Sequence, residues 1–166
     1  MMSEKMLKAL NDQMNAEQYS AYIYTAMRAY FLANNLEGFA NWMAVQAKEE
    51  WTHAEKFFSF IVERNGRVEL EAIAKPQKEW KNALDVFETA YKHEQYITGR
   101  INCLMELAKS EKDYAAESFL KWFVDEQVEE EANSLKIVET LKMIKESAGS
   151  LLMLDHQLAK REFRAE

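Results

Sequence analysis

Glu50 and His53 stand one helical turn apart in "KEEWTHAEKF" (residues 48–57), inside a segment that otherwise reads as a long apolar helix. At that spacing a carboxylate and an imidazole point the same way from a helix. They could act as an acid/base pair or as two metal ligands. Three more acids repeat the oddity. Glu17, Glu94 and Glu130 each interrupt an otherwise apolar periodicity, and Gln127 precedes Glu130 by one turn in "EQVEEE" (126–131).

The elements that must position these residues follow from alternating three- and four-residue spacing, which keeps side chains on one bundle-facing seam. The first seam runs Leu7, Leu10, Met14, Glu17, Ala21, Tyr24, Arg28, Phe31. The second runs Phe39, Met43, Gln46, Glu50, His53, Phe57, Phe60, Arg64. The third runs Leu84, Phe87, Tyr91, Glu94, Thr98, Ile101, Met105, Ala108, and the fourth runs from Ala116 through Phe123, Gln127, Glu130 and Ser134 to Ile144. Breaks at Gly38, Gly66, "KSEKD" and Gly149 predict helices over about 4–34, 38–65, 83–110 and 114–145, then a short one near 149–162. The fold class is all-α, a four-helix bundle with a short fifth helix, in one domain spanning 1–166. Short connections make helices one and two antiparallel, and three and four likewise. The connection over 66–82 can extend to about 55 Å, whereas a helix of about 28 residues is about 42 Å long. It can therefore cross the whole bundle and set helices two and three parallel. Helix midpoints then meet at one height, bringing the four acids together with His53 and Gln127.

Composition restricts the function classes. The net charge of −7 argues against nucleic acid and suits a cationic partner. One cysteine, Cys103, leaves no disulfide framework and no thiolate-based metal site. No signal peptide or membrane span is evident, so a cytoplasmic location is expected. Four carboxylates in an apolar interior need relief, since each buried ion costs several kcal/mol even after relaxation. The seam cations, Arg28 and Arg64, lie 11 residues from the nearest cluster member, about 16 Å by helical rise. A structural polar core is the alternative reading, but a bound multivalent cation is the simpler one. Carboxylates with one imidazole suit a pair of irons or manganeses better than calcium or zinc.

Together, Glu17, Glu50-Trp51-Thr52-His53, Glu94 and Gln127-Val128-Glu129-Glu130 resemble the motifs of ferritin-like di-iron bundles, over essentially the whole chain. A second Glu-x-x-His would fit bacterioferritins and rubrerythrins. Gln-x-x-Glu in its place is similar to the non-haem ferritins of bacteria and archaea. The resemblance implies a first iron held by Glu17, Glu50 and His53. Glu50 would bridge to a second iron, completed by Glu94 and Glu130 with Gln127 close by. A third iron site would match Glu49, Glu126, Glu129 and Glu130. Tyr24 would lie near the pair as an electron or hydrogen-bond donor. The implied activity is ferroxidase: dioxygen or hydrogen peroxide oxidises Fe(II), and mineral collects inside a 24-subunit shell with the fifth helix at a symmetry axis. A ferritin-like oxidase or peroxidase without storage is the alternative. No haem is expected, because Thr52 stands where bacterioferritins carry the haem-ligating methionine. Trp122, His93, His156 and Cys103 read as packing or surface residues.

Overall fold

The computed structural model describes residues 2–145 and 147–164. Five helices follow in order: α1 (Glu4–Ala33), α2 (Glu37–Glu63), α3 (Ala83–Glu111), α4 (Tyr114–Ile144) and α5 (Ala148–Leu158), with no strand among the described residues. Ser3, Asn82, Asp113 and Ser147 cap α1, α3, α4 and α5 by accepting from backbone N–H groups of the first turn. No helix among the described residues is long and apolar enough to cross a membrane.

Side-chain contacts fix the directions. Phe31 stacks on Phe39 at 5.0 Å, while Leu7 lies beside Gly66 at the other end, so α1 and α2 run antiparallel. Ser3 Oγ donates to Glu111, and Phe31 meets Phe87 at 6.0 Å, so α1 and α3 are antiparallel too. Hence α2 and α3 are parallel, as the long connection requires. That connection is strung along α1. Glu69 N donates to Asn11 Oδ1 at 2.8 Å, and Asn11 Nδ2 and Asn15 Nδ2 donate to the carbonyls of Arg67 and Glu71. Trp80 ends the run edge-on to Tyr30 at 5.4 Å.

The glycine breaks need correction. The left-handed residues that turn the chain are Asn35, Asn65 and Lys112, not glycines. Gly38 and Gly149 lie inside helices. A Cβ on Gly38 would stand 1.7 Å from the Asp155 carbonyl oxygen, so Gly38 is required by the close approach of α5. Asp155 also caps α2: Phe39 N donates to its Oδ1 at 3.0 Å, where Leu36 offers no side-chain cap. Leu154 and Leu158 of α5 are buried against the same apolar cluster, whereas Leu152 and Met153 remain 54% and 75% exposed.

The fifth helix ends at Leu158 rather than near 162. Asn41 Nδ2 lies 2.9–3.3 Å from the carbonyls of Leu158, Ala159 and Arg161, drawing the chain off its helical path along α2. The core is divided into two apolar clusters. One contains Phe31, Phe39, Phe87 and Leu141. The other contains Met14, Phe57, Leu120 and Phe123. The polar midpoint of the bundle lies between them.

Candidate metal centre

Each helix of the bundle delivers its midpoint acid to this centre, because an acid anywhere else on the seam would face one of the apolar clusters. Glu17, Glu50, His53, Glu94, Gln127 and Glu130 are all buried. Ligand atoms of Glu17, Glu50 and His53 lie within 4.8 Å of one another, as do those of His53, Glu126 and Glu130. His53 Nδ1 is 3.3 Å from Glu50 Oε2. Gln127 Nε2 donates to Glu94 Oε2 and to Thr98 Oγ1, both at 3.3 Å. Tyr24 donates its phenol to Glu94. Glu17 Oε2 is buried without a hydrogen-bond partner.

The outer acids divide. Glu126 is partly buried beside His53, Glu129 is exposed, and Glu49 accepts from Arg161 at 2.5 Å. Glu131 accepts from Thr98, one bond away from Gln127. Trp122 sits edge-on to His53 at 5.4 Å, with Lys56 Nζ over its ring at 4.1 Å. A cavity of about 20 Å³ lies beside His53, between α2 and α4, with Phe163 and Arg164 of the tail in its lining.

Three residues that sequence reasoning passed over touch the cluster. Gln13 Nε2 donates to Glu17 Oε1 at 2.7 Å, and Gln46 Nε2 donates to Glu130 Oε2 at 2.8 Å and Glu50 Oε1 at 3.3 Å. Both glutamines stand four residues before an acid, a helical spacing that could have flagged them. The third, Arg161, arrives from beyond α5, and no local pattern points to it. Arg28 is exposed and Arg64 is paired with Asp113 at 3.0 Å, so neither neutralises the centre. His93 is not a surface histidine: it is partly buried, 2.7 Å from Ser20 Oγ and edge-on to Tyr24. Cys103 is exposed rather than packed.

The electrostatics are those of acids held apart from water. Burial, then the charge of Glu50, raises the Glu17 carboxyl to about 8 against the opposing pulls of His53 and Gln13. Burial, followed by a neighbouring carboxylate, also raises Glu50, Glu94 and Glu130 well above the ordinary range. Burial likewise keeps Tyr24 a phenol.

A ferritin-like domain family matches residues 7–144. The bacterial non-heme ferritin of Staphylococcus haemolyticus is 42% identical over 166 residues, covering all of both chains. The chain belongs to the ferritin family. Among solved ferritins, the open-pore protein of Archaeoglobus fulgidus is 52% identical, with a TM-score of 0.97 over 98% of this chain and all of that one. An engineered closed form of the same ferritin superposes with a TM-score of 0.98 over 99% of this chain and all of that one.

The raised carboxyls of this ferritin give a pH signature without metal. Folded, Glu17 keeps its proton up to about pH 8; unfolded, it loses it near 4.5. Its contribution to stability is therefore full below 4.5 and is lost as pH rises through 8. His93, lowered to about 4 by burial, opposes this only between 4 and 6.5. Metal-free protein should thus lose stability from pH 6.5 to 8, by about 1.4 kcal/mol per pH unit for each carboxyl still protonated. Denaturant unfolding at fixed subunit concentration checks this. Glu17→Gln should flatten the slope, and an unchanged slope would mean that Glu17 is ionised in the folded chain.

Proposed function

We propose that this ferritin stores iron, oxidising Fe(II) as substrate at the mid-bundle centre and retaining the product as mineral within an oligomeric shell. The observation that carries the reading is the buried convergence of Glu17, Glu50 and His53, with one Glu17 oxygen left without a partner. An oxygen-rich donor set with one imidazole and no thiolate suits iron.

Glu17, Glu50 and His53 hold the first Fe(II), and Glu50 is shared with the second. Glu94 and Glu130 complete the second, with Gln127 hydrogen-bonded to Glu94. Lacking a histidine, the second is held more loosely. Tyr24 fixes Glu94 and stands ready to donate a hydrogen bond or an electron. Each Fe(II) gives up one electron, and dioxygen or hydrogen peroxide accepts the pair. Binding displaces protons from the raised carboxyls, so uptake strengthens as pH rises.

The third site of Glu49, Glu126, Glu129 and Glu130 fits the proximity of Glu126 to Glu130, and filling it draws Glu49 away from Arg161. No haem takes part. The whole chain works as one domain, in the cytoplasm, and about 24 copies close the shell. Exposed Leu152 and Met153 on α5 supply apolar surface for a neighbouring copy. The testing experiment is aerobic addition of Fe(II) to metal-free protein at rising ratios, following oxidation optically and retained iron by analysis of the protein peak. Oxidation no faster than in buffer would overturn the reading.

A further inference from the structure

Two of the three glutamines at the centre, Gln13 and Gln46, are gripped from behind by an arginine. Arg100 Nε donates to Gln13 Oε1 at 2.8 Å while its Nη2 holds the Asp12 carbonyl at 3.0 Å. Arg161 Nη1 donates to Gln46 Oε1 at 2.9 Å, with its guanidinium over the Trp42 ring at 4.4 Å. An amide side chain can flip, and its oxygen and nitrogen differ only in what they bond. A guanidinium is donor-only, so the atom it meets must be the amide oxygen. The NH2 group is then forced toward the acids. Gln13 presents it to Glu17 Oε1, leaving Glu17 Oε2 as the free oxygen. Gln46 presents it to one oxygen of Glu50 and one of Glu130.

We propose that Arg100–Gln13 and Arg161–Gln46 are two arginine-set relays whose glutamines are positioning residues for the iron ligands, fixing which carboxylate oxygen of Glu17, Glu50 and Glu130 turns to the metal. The proposal rests on the di-iron reading above. The first relay serves the site of Glu17 and His53. The second serves the shared acid and Glu130, and so acts on both irons. Neither glutamine touches the metal. Each holds a ligand, as groups behind metal ligands generally do, where their loss lowers metal affinity about 10- to 100-fold. Reversal of either amide would aim a carbonyl oxygen at a carboxylate and splay the ligand away from its ion.

The test is anaerobic titration of the metal-free protein with Co(II), read by its visible absorbance. Gln13→Leu and Arg100→Met should each weaken the tighter Co(II) site about tenfold. Gln46→Leu and Arg161→Met should weaken both sites by a similar factor. If each arginine acts through its glutamine, adding Arg100→Met to Gln13→Leu changes Co(II) affinity no further. Arg100→Lys, which keeps a single donor nitrogen in place of the fork, should recover part of the loss. Thermal unfolding of the metal-free variants separates positioning from packing: packing alone would lower the melting temperature and leave Co(II) affinity untouched. Wild-type affinity in all four single variants, or simple additivity in the double variant, overturns the proposal. Glu50→Ala and His53→Ala serve as controls. If they too bind Co(II) like wild type, the di-iron reading fails and the relays with it. If they lose Co(II) while the relay variants keep it, only the relays fail.

Discussion

Fe(II) oxidation should fall by roughly 100-fold or more in Glu50→Ala and in His53→Ala, the upper end of what loss of a mere supporting group does at a metal site. Ligand atoms of Glu50, Glu17 and His53 lie within 4.8 Å of one another, and on the proposed reading the loss of Glu50 removes the acid shared between the two ions. His53 supplies the only imidazole of the set, and its loss leaves a donor set of oxygens alone. The fold should survive both changes. Glu50 is pushed well above the ordinary carboxyl range by burial and by Glu130, so removing it relieves repulsion in the metal-free chain. Metal-free Glu50→Ala should therefore unfold at or above the wild-type temperature near neutral pH while oxidising iron slowly. Stopped-flow oxidation paired with thermal unfolding checks both halves. Wild-type rates in both variants would remove these residues from the centre, and a slow variant that has also lost its helices would leave the loss to misfolding.

Iron retained per chain should exceed the number of binding sites by orders of magnitude. A non-storing di-iron oxidase would stop at about three irons, the count of ligand sets proposed above. A 24-subunit particle of 19.5 kDa chains has a mass of about 470 kDa. Size exclusion after stepwise aerobic loading should place iron and protein together at that mass, with iron climbing at each step. Substitutions at the exposed face of α5 separate assembly from chemistry. Leu152→Asp with Met153→Asp puts charge on surface that a neighbour would cover and leaves the Arg161 contacts intact. The particle should break into small species that still oxidise the first irons rapidly but no longer keep the product soluble. Deletion from Gly149 should also break the shell, but it takes Arg161 from Gln46 and Glu49 and so should slow oxidation as well. A wild-type chain that elutes as a monomer or dimer and stops at the site count is a di-iron enzyme, not a store.

The central site was legible because its signals are local and periodic. Glu50 and His53 announce themselves by one-turn spacing, as do Gln127 and Glu130, and midpoints need no exact register to coincide. Farther out the same pattern slips. A strict seven-residue repeat drifts about 20° per heptad from a straight helix. So Met27 is buried in place of Arg28, and Ile61 is buried while Phe60 is only partly covered. Gln13 escaped because it lies off the seam, reaching Glu17 along the flank of its own helix. His93 escaped for a related reason: α1 offers Ser20 and Tyr24 to its ring, and the periodicity of α3 contains no trace of them. Arg161 depends on the tail leaving its helix after Leu158, which Asn41 decides from more than 100 residues away.

The two ends of this chain are not equivalent places to attach cargo. Ser3 binds Glu111 where α1 begins and α3 ends, remote from the bundle midpoint. Arg164, by contrast, lines a cavity together with His53 and Glu126. A peptide, dye or enzyme fused at that end would pull first on Arg164 and Phe163 at the cavity, and beyond them on Arg161, which holds Gln46. Affinity tags and displayed antigens therefore belong at the N-terminus if iron uptake is to be preserved.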